Sequence, residues 1–232
     1  MNLIEKADLI SAIEHSFKNY IEIENGARSP KKLIPIHGYF ASILFKIFGN
    51  KYKISYYTGG EDSKEFTVDG EYYSKRIDIT VTRDGTPIFC LGIKFITSNF
   101  KQNANNYFEA MMGETANIQT RGIPYAHLII FREKTPYYEK SQNRKVKKIE
   151  IIADKDIQKY LKLQFNGPQV HRPKYLGIQF VDIDEKTGKV ELTEASSALS
   201  PDIAKLLRDN LSLEKFFEEI KSFKNYLEEK GG

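Results

Sequence analysis

The sequence predicts an α/β protein with a mixed central β-sheet flanked by helices. Three observations carry that expectation. Apolar residues recur at helical spacing in several separate stretches, while strand-length segments between them either alternate or run continuously apolar. Between Gly38 and Phe131 these segments follow the order helix, three strands, helix, strand. Turn chemistry (Gly, Pro, Asp, Asn) punctuates the boundaries.

At 232 residues the chain is long enough for a substantial core, and no linker forces a second unit, so 1–232 reads as a single domain. Hydrophobic residues at 41% and charged residues at 28% exclude a disordered chain. One cysteine, Cys90, excludes an intrachain disulfide and leaves a Cys-based zinc site short of ligands. His15, His37, His127 and His171 lie on unrelated segments, without the i, i+4 spacing of a zinc-binding helix. No apolar run spans a bilayer and Met1–Lys6 lacks a signal peptide's character, so the expectation is a cytoplasmic protein with no membrane partner. The net charge of +4 is mild, but Arg132–Lys148 carries seven basic residues against two acidic ones, with two adjacent tyrosines. That block reads either as a solvated loop or as a phosphate-contacting element.

In chain order, Ile10, Ile13, Phe17, Tyr20 and Ile21 mark a first helix that stops at Asn25-Gly26, followed by a connector from Ala27 to Pro35. A second helix runs from about Gly38 to Phe48, and Tyr52–Tyr57 alternates as a strand. After a polar loop through Gly59, Gly60 and Asp62, Arg76–Thr82 alternates strictly and Ile88–Ile96 is nearly all apolar. Arg83–Pro87 between them is turn-forming, which makes a β-hairpin. A helix at 103–120 follows, then the strand Ala126–Phe131. Farther on come a strand at Lys147–Ile152, a helix at Asp154–Leu163 capped by Asp154, strands at Tyr175–Ile183 and Lys189–Leu192, and helices starting at Ser200-Pro201 and Ser212.

The hairpin carries the chemistry. Asp78 alternates with Ile77 and Ile79, so it points away from that apolar pair; Lys94 is a lone ammonium in an apolar strand and shares a face with Cys90 and Gly92. A carboxylate among β-branched neighbours is costly unless it meets a cation or hydrogen-bond donors. A two-residue Asp84-Gly85 turn sets Asp78 opposite Leu91, with Lys94 on the wrong side. A three-residue loop with a bulge at Gly85 brings both groups to one face, and that is the expectation here. The pair also reads as a plain cross-strand ion pair.

A helix, a hairpin with Asp on one strand and x-x-Lys on the next, then a helix and a strand, resembles the PD-(D/E)xK nuclease superfamily, and within it the type II restriction endonucleases. The resemblance covers Gly38–Phe131 and implies a restriction-endonuclease-like αβββαβ core, with 132–232 and the N-terminal helix serving recognition, packing and dimerisation. It implies Mg²⁺ held by Asp78 and the Ile93 carbonyl, with Lys94 as the positioning cation. Gly92 departs from the pattern, because it stands where the family has its second acid. Some relatives carry that acid on the following helix, where Glu109 is the first candidate and Glu114 the second; an altered or inactive site is the third possibility. Glu14 or Glu22 on the leading helix offers a further ligand. The implied function is Mg²⁺-dependent endonucleolytic cleavage of double-stranded DNA by a homodimer. A repair, junction-resolving or RNA-processing nuclease of the same fold and a non-catalytic DNA-binding protein are the alternatives. Candidate DNA contacts are Gln102 and Asn105 in an amide-rich helix start, Gln142, Asn143 and Arg144 in the basic block, and Arg172 and Lys174 in a Pro- and Gly-bearing loop.

Overall fold

The computed structural model describes residues 3–22, 30–60, 64–139 and 145–230. Along the chain run α1 (Lys6–Glu22), a 3₁₀ turn (Pro30–Leu33), α2 (Ile34–Phe48), β1 (Lys53–Tyr56), β2 (Phe66–Asp69), β3 (Ser74–Ile77), β4 (Ile79–Arg83), β5 (Thr86–Ile96) and α3 (Phe100–Gln119). Then follow β6 (Tyr125–Arg132), β7 (Lys134–Tyr138), β8 (Val146–Ile151), α4 (Asp154–Asn166), β9 (Tyr175–Ile183), β10 (Val190–Thr193), α5 (Pro201–Leu211) and α6 (Leu213–Lys230). Six strands form one mixed sheet in the order β1-β4-β5-β6-β9-β10, parallel only across β5-β6-β9. Two separate two-stranded ribbons, β2-β3 and β7-β8, complete the described strands.

Helices cover both faces of the sheet, which is why β6 is buried throughout and reads as continuously apolar. On one face Phe89, Leu91, Ile93 and Phe95 pack with α1, α2 and α6. On the other, Ile129, Phe131, Ile178 and Phe180 pack with α3, α4 and α5. The apolar stripes of α1 (Leu9, Ile13, Phe17) and α6 (Phe216, Phe217, Ile220) are consumed by this core rather than left for a partner. Among the described residues no helix is long and apolar enough to cross a membrane.

Several sequence expectations are corrected. The strand expected at Arg76–Thr82 is broken at Asp78: β3 pairs with β2 outside the main sheet and β4 joins β5 inside it. The β2-β3 ribbon and β7 were not anticipated, and α2 begins at Ile34 inside the expected connector. The N-terminus of α4 is capped by Asp156, whose Oδ2 accepts the Ala153 N–H at 3.0 Å, whereas Asp154 receives the Ser200 N–H at 2.8 Å. The expected stop at Asn25-Gly26 and the loop position Asp62 lie outside the described residues.

The hairpin turn is also not as expected, though its effect is. Asp84 and Gly85 form a two-residue turn, both at positive φ (52° and 79°), so Arg83 faces Thr86 and Thr82 faces Pro87. The register then slips by one: Val81 faces Phe89 and Ile79 faces Leu91, which leaves Ile88 as the extra residue. Asp78 therefore stands next in line to Gly92, on the face of Lys94.

Candidate active site

Asp78 occupies the bend between β3 and β4, where the chain leaves one sheet for the other. Its Oδ2 accepts the backbone N–H of Ile93 at 2.6 Å, and its Oδ1 lies 4.0 Å from His37 Nε2. Lys94 is the next residue of β5 after Ile93, its ammonium 4.6 Å from the centroid of the Tyr107 ring. Both line one cleft of about 320 Å³, together with Lys32, Lys75, Glu114 and His127. Among the described residues Asp78 and Lys94 make no direct ion pair, so the bland reading of a cross-strand bridge is not what the geometry presents.

The second acid in this cleft is Glu114, not Glu109. The buried side of α3 is set by Met111, Thr115 and Ile118, and Glu114 follows Tyr107 and Met111 at helical spacing on the face toward the sheet. Glu109 falls outside that stripe, exposed and away from the cleft lining. Glu114 is held from two sides: Lys75 Nζ lies 2.7 Å from Oε1, and the Tyr125 hydroxyl donates to Oε2 at 2.9 Å. Position 92 has no room for an acid of its own. A Cβ built there meets the Tyr125 hydroxyl at 2.2 Å and His127 Nδ1 at 2.9 Å, so the room for a side chain at 92 is already taken. The group that takes it, Tyr125, is the one that carries Glu114.

Electrostatics follow from burial and crowding. Burial pushes the Asp78 carboxyl up to about 6, aided by Glu114 and opposed by the Ile93 N–H, Lys75 and Lys94. Burial raises Glu65 as well, with Asp78 adding to the effect. His37 and His127 are each pushed down to about 4 by burial, so both rings are neutral at pH 7. Lys32 is lowered to about 8 by burial and by Lys94. His37, Glu65 and Asp78 each offer a ligand atom within 4.8 Å of the others, which makes them a set that could hold a metal ion.

The chain matches no family model, no curated protein and no solved structure.

Of the other residues singled out from sequence, the Ile93 backbone lines the cleft beside Asp78. Gln102 and Asn105 do not line it: Gln102 donates its backbone N–H to the Tyr137 hydroxyl at 2.9 Å, and Asn105 Oδ1 accepts from Lys159 at 3.2 Å. Arg172 and Lys174 lie together with Gln119 in a separate hollow, where Arg172 Nη1 donates to the Gln164 carbonyl at 3.2 Å. Gln142, Asn143 and Arg144 lie outside the described residues. Glu14 accepts the Val190 N–H at 3.2 Å and Glu22 pairs with Lys18, so neither reaches the cleft. Sequence reasoning missed His37, Glu65, Lys75 and Tyr125. For His37 the signal was a polar ring amid the apolar run Ile34–Phe40, whereas Tyr125 carried none, because its place beside Gly92 follows from the β5–β6 register.

Proposed function

We propose that this protein is a Mg²⁺-dependent endonuclease that hydrolyses phosphodiester bonds of double-stranded DNA in the manner of a type II restriction endonuclease, on an αβββαβ core. The observation that carries this reading is the meeting of Asp78, Lys94 and Glu114 in one basic cleft, from three different elements. Carboxylate oxygens are the donors that a hard dication prefers, and Asp78, Glu114 and the Ile93 carbonyl would hold it. Bound there, Mg²⁺ supplies charge for the phosphate oxygens and acidity for a water. The remaining work belongs to side chains. Lys94, resting on the Tyr107 ring, stabilises charge developing on the phosphate and orients the attacking water. Lys75 and Tyr125 fix the Glu114 carboxylate so that it need not reorganise during reaction. Lys32 adds positive charge at the cleft and favours a phosphodiester ligand. Cutting both strands of a symmetric site calls for a homodimer. Since the α1 and α6 stripes are internal, its interface falls on another surface.

The test is Mg²⁺-dependent digestion of a defined plasmid with fragment-end mapping. We expect discrete fragments from wild type and from Glu109→Ala. Asp78→Ala, Lys94→Ala and Glu114→Gln should each lose cleavage by at least about 100-fold, the scale of removing one transition-state contact. Full activity in Asp78→Ala removes the site assignment, and binding without cleavage by wild type leaves a DNA-binding protein. Cleavage confined to junctions or RNA selects the other nucleases of this fold.

A further inference from the structure

We propose that His37, Glu65 and Asp78 form a nitrogen-containing metal subsite that takes a first-row transition-metal dication in preference to Mg²⁺ or Ca²⁺. The idea rests on the nuclease reading only in sharing Asp78 with it. Three elements converge to make the subsite. In the β2-β3 ribbon Phe66 faces Ile77, so Glu65 and Asp78 are the next cross-strand neighbours in line. Two carboxylates facing one another across a ladder repel unless a cation lies between them. His37 comes from the first turns of α2, where Ile36, Phe40 and Leu44 pack into the core and fix the ring's direction.

The imidazole is the deciding feature. His37 is only 3% exposed, and its Nε2 is buried without a hydrogen-bond partner, 4.0 Å from Asp78 Oδ1. A buried nitrogen without a partner is open to a ligand, and a lone pair there lies within reach of a metal between the three residues. Mg²⁺ and Ca²⁺ prefer all-oxygen shells, whereas first-row transition-metal dications also accept an imidazole nitrogen, least tightly at Mn²⁺ and more so toward Cu²⁺. Glu114 lies on the Lys75 and Tyr125 side of the cleft and takes no part in this set.

Mn²⁺ provides a paramagnetic probe that needs no nucleic acid. The full chain is titrated with Mn²⁺ and read by electron paramagnetic resonance, with spin-echo detection of coupling to ¹⁴N. We expect bound Mn²⁺ that shows ¹⁴N coupling, and we expect that coupled signal to be displaced by Mg²⁺ only in large excess. His37→Gln should lose the coupling and weaken binding by about tenfold or more, Glu65→Gln should weaken it to a similar degree, and His127→Gln should keep the coupling. Absence of binding, absence of ¹⁴N coupling in wild type, its persistence in His37→Gln, or displacement by an equal concentration of Mg²⁺ overturns the proposal; the wild-type spectrum decides even where a variant fails to fold. Nitrogen-ligated Mn²⁺ in a protein that cleaves no DNA overturns only the nuclease reading. Cleavage by a protein whose Mn²⁺ shows no nitrogen ligand overturns only this one.

Discussion

Asp78 holds a carboxylate where a folded chain gains least from one. Its acidity is weakened to about 6 by burial, from an ordinary value of 3.8. The folded state therefore binds its proton more tightly than the unfolded chain, and stability contributed by this group falls as pH rises from about 4 to about 6. Above that window the ionised group costs the native state on the order of 1–3 kcal/mol. Asp78→Asn keeps an oxygen for the Ile93 N–H and removes the charge. Thermal melts in chelator should show it more stable than wild type at pH 8, by about 2–4 °C for each kcal/mol, with the advantage vanishing near pH 4. Gly92 is the opposite case, a residue whose lack of a side chain is what the site requires. Gly92→Ala should cost about 1–3 kcal/mol in denaturant unfolding, because Tyr125 is buried and cannot move aside without releasing Glu114. At this scale Asp78 and Lys94 stood out as charged groups among apolar neighbours, whereas their common side depended on the extra residue Ile88, which alternation does not reveal. Glu114 was only half legible: its face follows from Tyr107 and Met111, but the amide-rich start of α3 drew attention to Glu109 on the other side.

Among elements, the β2-β3 ribbon lies outside the main sheet and yet positions several of the charged groups around Asp78. It delivers Glu65 and Asp78 at its open end and Lys75 to Glu114. Its tip is clamped by one fully buried amide: Asn117 Oδ1 accepts the N–H groups of Tyr72 and Tyr73 at 2.8 and 3.3 Å, and its Nδ2 donates to the Tyr73 carbonyl at 2.9 Å. Gly70 completes the fit, for a Cβ there meets Asn117 Nδ2 at 2.1 Å. Asn117→Ala removes these bonds at a cost of about 1–3 kcal/mol. Hydrogen exchange should then accelerate at the Tyr72 and Tyr73 amides and leave β6 unchanged; unchanged exchange at the tip contradicts the clamp. The ribbon had a sequence signature, Phe66-Thr67-Val68 before Asp69-Gly70, but its alternation is short and merges at Arg76 into the stronger pattern of the next strand. Local pattern says that a segment is extended, not which sheet it joins.

For the whole molecule, periodicity was enough to give a mixed sheet between helices, because two covered faces leave two unmistakable signals: continuous apolar strands and striped helices. What it could not give was convergence. The cleft gathers α1, the 3₁₀ turn, β3, the β3–β4 bend, β5, α3 and β6, and side chains from such distant positions carry no mark of one another in a single chain. Sidedness in a strand is a matter of parity, and the unpaired residue at Ile88 sets it for the whole of β5. A chain that gained or lost one residue between Asp78 and Lys94 would have to absorb the change in the turn, because a one-residue slip of β5 carries Phe89, Leu91, Ile93 and Phe95 out of their core together with Lys94. The packing of that apolar face and the aim of the ammonium are thereby tied to a single parity, so the fold and the site constrain this stretch together.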